Sequence, residues 1–192
     1  MWLCNNPLST ISPKLAELDT LLVLSLSNVG LSSIPLEVSG LIHLRRLYLQ
    51  RNYISEIPED LSSLSLLTDL NLSRNNFVGD IPNVVMGFRD LAYLDISYNQ
   101  FTSISTNIMQ LKTLSLLNIS GNGISQYSDD ITRRMPYLLI VGLDNGAASK
   151  KFWRPENYSI SREEELELKS FIKVRAKKTG TASEKLQGIK EC

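Results

Sequence analysis

Residues 44–54, LRRLYLQRNYI, decide the fold, because they place leucine or isoleucine at positions 1, 4, 6 and 11 and asparagine at position 9 of an eleven-residue pattern. The pattern returns as LTDLNLSRNNF from Leu67, LAYLDISYNQF from Leu91 and LSLLNISGNGI from Leu114. Weaker copies begin at Leu21, where Val29 takes the asparagine position, and at Leu138. The leading leucines lie 23 or 24 residues apart, and an interval of that size predicts a solenoid built from one structural unit per repeat.

Apolar and polar residues alternate within each copy, which is typical of a short β-strand with one face in a core. We expect positions 1, 4 and 6 to point inward and positions 2, 3, 5, 7 and 8 to point outward along parallel strands. The asparagine at position 9 offers two donors and an acceptor, so we expect it to bond to backbone groups of the turn after each strand. These asparagines are Asn6, Asn52, Asn75, Asn99 and Asn122.

An earlier partial copy is visible because Leu3, Asn6 and Leu8 precede the equivalent residues of the Leu21 copy by 23 positions. A strand edge at this end of the solenoid is expected to lack cover. It would invite self-association or indicate missing upstream sequence.

These motifs resemble the leucine-rich repeat family over about residues 1–148. Three repeats continue with I-P-x-x-L, which resembles the 23-residue class of intracellular scaffold proteins of the Ras-suppressor type; the copies begin at Ile34, Ile57 and Ile81. FVGDIP, from Phe77, is similar to the plant receptor version of the repeat, and its extra residue accounts for one 24-residue interval. The resemblance implies an α/β leucine-rich repeat solenoid that is curved, with short parallel strands on the concave face and irregular or short helical segments on the convex face.

The composition changes after Ala148, where the repeats end. Residues 149–160 are predicted to be a connector, because Pro155 breaks regular structure. A capping box at Ser161 and Glu164 predicts a C-terminal helix over residues 161–180, and the polar residues 181–192 are predicted to form a flexible tail.

Charge and residue usage exclude several classes of function. The 20 basic and 20 acidic residues cancel, with 9 against 13 through Ala148 and 11 against 7 beyond it, so nucleic acid is not an expected partner. The longest apolar run, residues 137–143, is far shorter than the roughly 20 residues that span a membrane, and MWLCNN lacks the features of a signal sequence. We therefore expect no membrane association and a cytoplasmic location. Two cysteines at opposite ends and a single histidine, His43, give no zinc motif, no cofactor site and no catalytic group, so the chain is predicted not to be an enzyme.

Outward positions of three neighbouring repeats combine arginine, tyrosine and aspartate, residue types with defined roles at interfaces. The predicted partner-binding residues, called the patch below, are Arg45, Arg46, Tyr48, Arg51, Asp69, Arg74, Tyr93, Asp95 and Tyr98. We expect a protein partner to lie across them as an extended, carboxylate-bearing segment, with Arg46 and Arg74 as charged donors. In the alternative interpretation, Asp69 and Asp95 pair with the arginines only to keep the sheet soluble.

The leading functional hypothesis is a non-catalytic protein-interaction module or scaffold that binds its partner on the concave face. One alternative is a structural subunit of a large ribonucleoprotein or ciliary assembly, anchored by the basic C-terminal region. Another is a fragment of a leucine-rich repeat receptor or kinase.

Overall fold

The computed structural model describes residues 1–8, 11–124 and 127–141. These ranges contain the predicted repeats up to the strand of the last copy. The predicted connector (149–160), helix (161–180) and tail (181–192) lie outside the described residues.

Each repeat contributes one short parallel β-strand to the main sheet, and two repeats contribute a second strand each to a smaller sheet. Within the described ranges they are β1 (Val23–Ser25), β2 (Arg46–Tyr48), β3 (Asp69–Asn71), β4 (Val78–Gly79), β5 (Tyr93–Asp95), β6 (Gln100–Phe101), β7 (Leu116–Asn118) and β8 (Leu139–Val141). Six of them form the main sheet in the order β1-β2-β3-β5-β7-β8, and β4 pairs with β6 in a second, two-stranded sheet. The second sheet lies at the FVGDIP segment, where the sequence departs from the other repeats. This arrangement confirms the predicted leucine-rich repeat solenoid.

The partial repeat at residues 1–8 continues the main sheet beyond β1. Trp2 forms a parallel bridge with Ser25, and the backbone N–H groups of Leu3 and Asn5 donate to the carbonyls of Ser25 and Ser27 at 3.0 Å. Residues 1–8 therefore pair with the repeat from Leu21 in the register that the 23-residue spacing predicts. Self-association at this edge stays a prediction.

Short 3₁₀ helices return the chain along the convex face. They are Pro13–Glu17, Leu36–Gly40, Glu59–Ser63, Asn83–Gly87 and Thr106–Gln110. In the repeat that begins at Leu114, the helix α1 (Asp129–Arg134) takes their place. Proline of the I-P-x-x-L motif precedes three of these helices, where its missing N–H leaves no ladder bond unmade. In the repeats without proline, the side chains of Ser105 and Ser128 accept a hydrogen bond from the helix N-terminus instead.

The core is a stack of inward-pointing leucines. Positions 1, 4 and 6 of the central repeats are at most 2 % exposed, and these residues are Leu44, Leu47, Leu49, Leu67, Leu70, Leu72, Leu91, Leu94 and Ile96. Phe77 and Phe101 occupy position 11 of neighbouring repeats and stack with ring centres 5.8 Å apart and an angle of 9° between the rings. Each repeat thus buries its apolar residues against the next, as one unit cannot do alone.

The asparagines at position 9 join neighbouring repeats. The Asn52 side-chain oxygen accepts from the N–H groups of Val29, Gly30 and Leu31 at 3.0 to 3.1 Å, and its amide nitrogen donates to the carbonyls of Leu26 and Leu49. Equivalent bonds to the turn of the preceding repeat are made by Asn75, Asn99 and Asn122. The predicted role of this residue is confirmed. In the first full repeat the position is occupied by Val29, which is buried and offers no such bond.

The register of the last strand, β8, differs by one residue from the register that the repeat pattern predicts. A copy beginning at Leu138 places Val141 at the inward position 4, but the structure pairs Ile140 with Leu117 and buries Ile140. Residues 138–141 are all apolar, so alternation cannot define the register. Packing against β7 defines it instead.

Candidate functional site

The main sheet brings the patch residues together on neighbouring strands. Arg46, Asp69 and Tyr93 are direct neighbours across β2, β3 and β5, and Tyr48 lies opposite Asn71 at the other end of the same strands. Since adjacent strands are about 4.8 Å apart, the patch is contiguous.

Exposure divides the patch into two groups. The exposed group is Arg45, Arg46, Arg51, Arg74 and Tyr98. Tyr48, Asp69 and Asp95 are only 5 to 8 % exposed, and Tyr93 is half-buried. The expectation that all nine side chains are open to solvent is therefore wrong for Tyr48, Asp69 and Asp95. Side chains on strands this close together cover one another, as Trp2 does when it stacks on Tyr48 with ring centres 5.9 Å apart.

The buried acids bond to hydroxyl and backbone groups. Asp95 accepts from the Tyr93 hydroxyl at 3.1 Å and from the Ser97 N–H at 2.9 Å, while the Thr68 hydroxyl donates to Asp69 at 2.8 Å. Within the described ranges the ion pair is Arg133 with Asp130, at 3.4 Å in α1. Asp69 and Asp95 thus bond to hydroxyl and backbone donors, and the alternative in which these acids pair with the patch arginines stays an interpretation.

Burial sets the acid–base behaviour of the tyrosines beneath the arginines. Burial, and then the charge of Asp95 and the hydrogen bond to it, raise the pKa of Tyr93 well above its ordinary value. Burial and Asp69 also raise the pKa of Tyr48, with Arg46 acting in the opposite direction. Both phenols are therefore neutral at ordinary pH, and the Tyr93 hydroxyl donates to Asp95.

We expect alkaline pH to destabilise the fold through Tyr93. The folded-state pKa of this phenol lies above the ordinary 10.0 that the unfolded chain keeps, so the unfolded state loses its proton first as the pH rises. Above about pH 10 the free energy of unfolding should fall by up to about 1.4 kcal/mol per pH unit on account of this group. Tyr93→Phe should cost about 1 kcal/mol near pH 8, because a hydrogen bond is lost, and should then show a shallower alkaline decline in urea unfolding. Tyr53→Phe, at an exposed site, is the control, and equal slopes for Tyr93→Phe and wild type would contradict the expectation.

The residue at position 8 has a left-handed backbone in every repeat turn that the structure describes. In the partial, first and last described turns this residue is Asn5, Asn28 or Gly121, types that tolerate positive φ. The three central repeats instead carry Arg51, Arg74 and Tyr98, with φ of 60°, 56° and 54°. A residue of these types costs roughly 1 kcal/mol or more in that conformation.

The same turn is held rigidly by the sheet. The N–H groups of Arg51, Arg74 and Tyr98 donate to the carbonyls of Ser73, Ser97 and Ser120 in the next repeat, at 2.7 to 3.0 Å. Sequence reasoning missed this strain, although asparagine and glycine at the equivalent positions of other repeats were a usable signal.

Arg74 and Tyr98 form a stacked pair. The guanidinium carbon lies 4.2 Å from the centre of the Tyr98 ring, within the range of a cation–π interaction. The ring also rests against Gly121, where an added Cβ would lie 2.7 Å from a ring carbon. Glycine is thus required beside this tyrosine both for its φ of 66° and for space.

Gln50 is a buried polar residue next to Arg51. It is 4 % exposed, and among the described residues neither its amide nitrogen nor its amide oxygen has a hydrogen-bond partner. Serine or cysteine fills this position in the copies before the one at Leu138. An unpaired buried amide costs about 1 to 3 kcal/mol, so a second local cost lies next to the patch residue Arg51.

The described residues offer little for other chemistries. No group of three His, Cys, Asp or Glu side chains among them could hold a metal ion, and His43 contacts the backbone oxygen of Asp19 through Nδ1. In the same part of the chain, no helix has the length and apolar character needed to cross a bilayer.

Comparison with known proteins places the chain in a family. The family model described as leucine-rich repeat region matches residues 2–139. The chain belongs to the leucine-rich repeat family. Leucine-rich repeat domains of this kind present extended surfaces for binding proteins.

The relatives of this chain include proteins of animals, plants and bacteria. Fibromodulin of Sus scrofa is 33 % identical over 116 residues, covering 57 % of this chain and 77 % of that protein. Receptor-like protein 39 of Arabidopsis thaliana is 33 % identical over 111 residues, covering 56 % of this chain but 12 % of that protein. The solved structure of a leucine-rich repeat protein from Leptospira interrogans is 29 % identical with a TM-score of 0.62, covering 70 % of this chain and 34 % of that one. The chain therefore spans only a small part of several proteins it resembles.

Proposed function

We propose that this chain is a non-catalytic protein-interaction module that binds an extended, carboxylate-bearing protein segment on its concave face. The proposal is supported by the placement of exposed Arg45 and Arg46 at the start of β2, with Arg51 and Arg74 in the turns after the strands. All four lie outside any ion pair among the described residues. Guanidinium groups that are not neutralised locally favour a partner that supplies carboxylates.

The buried residues support the exposed ones. Beneath the arginines lie two neutral tyrosines, Tyr48 and Tyr93, and two buried acids, Asp69 and Asp95. Hydrogen bonds hold the acids in place, so a partner meets a surface with fixed geometry. Preorganised aromatic and arginine residues are the types that contribute most at protein interfaces. The likeness of the I-P-x-x-L segments to Ras-suppressor-type proteins favours a scaffold role in the cytoplasm.

Affinity purification with a paired substitution tests the proposal. We expect Arg45→Ala with Arg46→Ala to reduce recovery of the bound partner by roughly tenfold or more, because two charged donors at the centre of the surface are lost. The matched control is Arg133→Ala with Arg134→Ala, which removes two adjacent exposed arginines from α1. Recovery should be unchanged in the control.

Two outcomes would contradict the concave-face proposal. Equal recovery with both double variants would place the binding surface elsewhere. Loss of recovery on deletion of residues 149–192, with full recovery in the Arg45 and Arg46 variant, would favour the alternative in which the basic C-terminal region anchors the chain in a larger assembly.

A further inference from the structure

Three large side chains on left-handed backbone lie side by side in the turns that follow the carboxyl ends of the strands. Arg51, Arg74 and Tyr98 share position 8 of consecutive repeats, are exposed, and are called the turn ridge below. Their N–H groups each bond to the next repeat, which fixes their spacing at that of adjacent strands, about 4.8 Å.

The turn ridge bears a conformational cost that its own contacts do not require. Asn28 and Gly121 show that residues suited to positive φ fit the same turn in this chain. Position 8 is exposed, so the core gains nothing from arginine or tyrosine there. Strained backbone at an exposed site indicates a function for the side chains that occupy it.

The chemistry of the turn ridge favours carboxylates. Stacking of Arg74 on Tyr98 orders the guanidinium but leaves its in-plane N–H groups free to donate in the fork that matches a carboxylate. Arg51, one repeat earlier at the same position, adds a second exposed guanidinium that is outside any ion pair among the described residues.

A nucleic acid fits this surface less well than an acidic peptide. Residues 1–148 carry 13 acidic and 9 basic residues, so a dense polyanion would meet net repulsion around the turn ridge. A peptide places single carboxylates opposite Arg51 and Arg74 and leaves the rest of its length uncharged.

We infer that the turn ridge is the specificity-determining element of the interaction surface and recognises consecutive acidic side chains of a peptide. This inference rests on the proposed function. It adds that binding depends on residues outside the strands and that these residues are retained at the expense of stability.

Asparagine substitutions separate recognition from folding. Arg51→Asn relieves the left-handed strain, so its Tm should rise by about 2 °C. Arg74→Asn also loses the stack on Tyr98, so its Tm should stay within about 1 °C of wild type. Both should weaken binding of a fluorescein-labelled ten-residue serine peptide that carries two adjacent glutamates by about fivefold or more in fluorescence anisotropy at low salt.

Controls identify what would overturn the inference. Arg89→Asn removes one exposed positive charge away from the turn ridge and should change binding less than twofold. The inference is overturned if Arg51→Asn and Arg74→Asn weaken binding no more than this control, or if both lower the Tm by several degrees. Tighter binding of a deca-thymidine oligonucleotide than of the two-glutamate peptide would overturn it in favour of a nucleic acid. Failure of the turn ridge alone, with partner recovery still lost in the Arg45 and Arg46 double variant, would leave the concave-face proposal standing.

Discussion

Replacing Asn52 by alanine is expected to destabilise the fold by about 4 kcal/mol, because five backbone groups lose their side-chain partner. Each buried group left without a partner costs roughly 1 to 3 kcal/mol, although relaxation and water entry keep the sum well below five separate penalties. That cost is a large share of the 5 to 15 kcal/mol that typically stabilises a domain of this size. Urea unfolding followed by circular dichroism gives the measurement.

A matched control distinguishes the buried amide from asparagine in general. Asn76 is exposed, and its amide makes one long bond of 3.4 Å to the backbone oxygen of Tyr53. Asn76→Ala should change the free energy of unfolding by less than about 0.5 kcal/mol. Similar losses at Asn52 and Asn76 would show that the ladder does not stabilise the stack.

Removing the Phe101 ring is the second large perturbation, with an expected loss of about 3 to 5 kcal/mol for Phe101→Ala. The ring is fully buried and stacks on Phe77. Alanine therefore leaves a cavity between two neighbouring repeats, which the surrounding side chains fill only in part. Phe101→Leu fills most of that volume and should cost clearly less.

An exposed aromatic serves as the reference for the phenylalanine experiment. Tyr53 is 65 % exposed, and Tyr53→Ala should leave the Tm nearly unchanged under the same conditions. If Phe101→Ala unfolds at the same temperature as Tyr53→Ala, the stacked pair contributes little.

The repeated features were the predictable ones. Leucines at positions 1, 4 and 6 and asparagine at position 9 recur with fixed spacing, and each has one physical role, so strand order, core and ladder follow from the pattern. The register of β8 did not follow, because Leu138 is one of four consecutive apolar residues and only packing of Ile140 on Leu117 selects among them.

The sequence predicted which residues of the candidate site lie on one face, but not their burial, backbone strain or stacking. Alternation correctly placed Arg46, Asp69 and Tyr93 on one face, since direction depends only on the period of two. Burial of Tyr48 depends on Trp2, which lies at position 5 of the partial copy two repeats earlier, and the pattern fixes the direction of that residue but not its size. Strain at Arg74 depends on a dihedral angle, and the stack on Tyr98 depends on the space left by Gly121.

The asparagine ladder also bears on how such a chain can grow. Each asparagine bonds to its own repeat and to the one before it, so a unit of 23 residues contains the groups that join it to a neighbour. Gene duplication of a central unit would therefore deliver a repeat already able to dock. Duplication of the unit that contains Val29 would insert a junction without the amide, and lineages that copied it would need a compensating change.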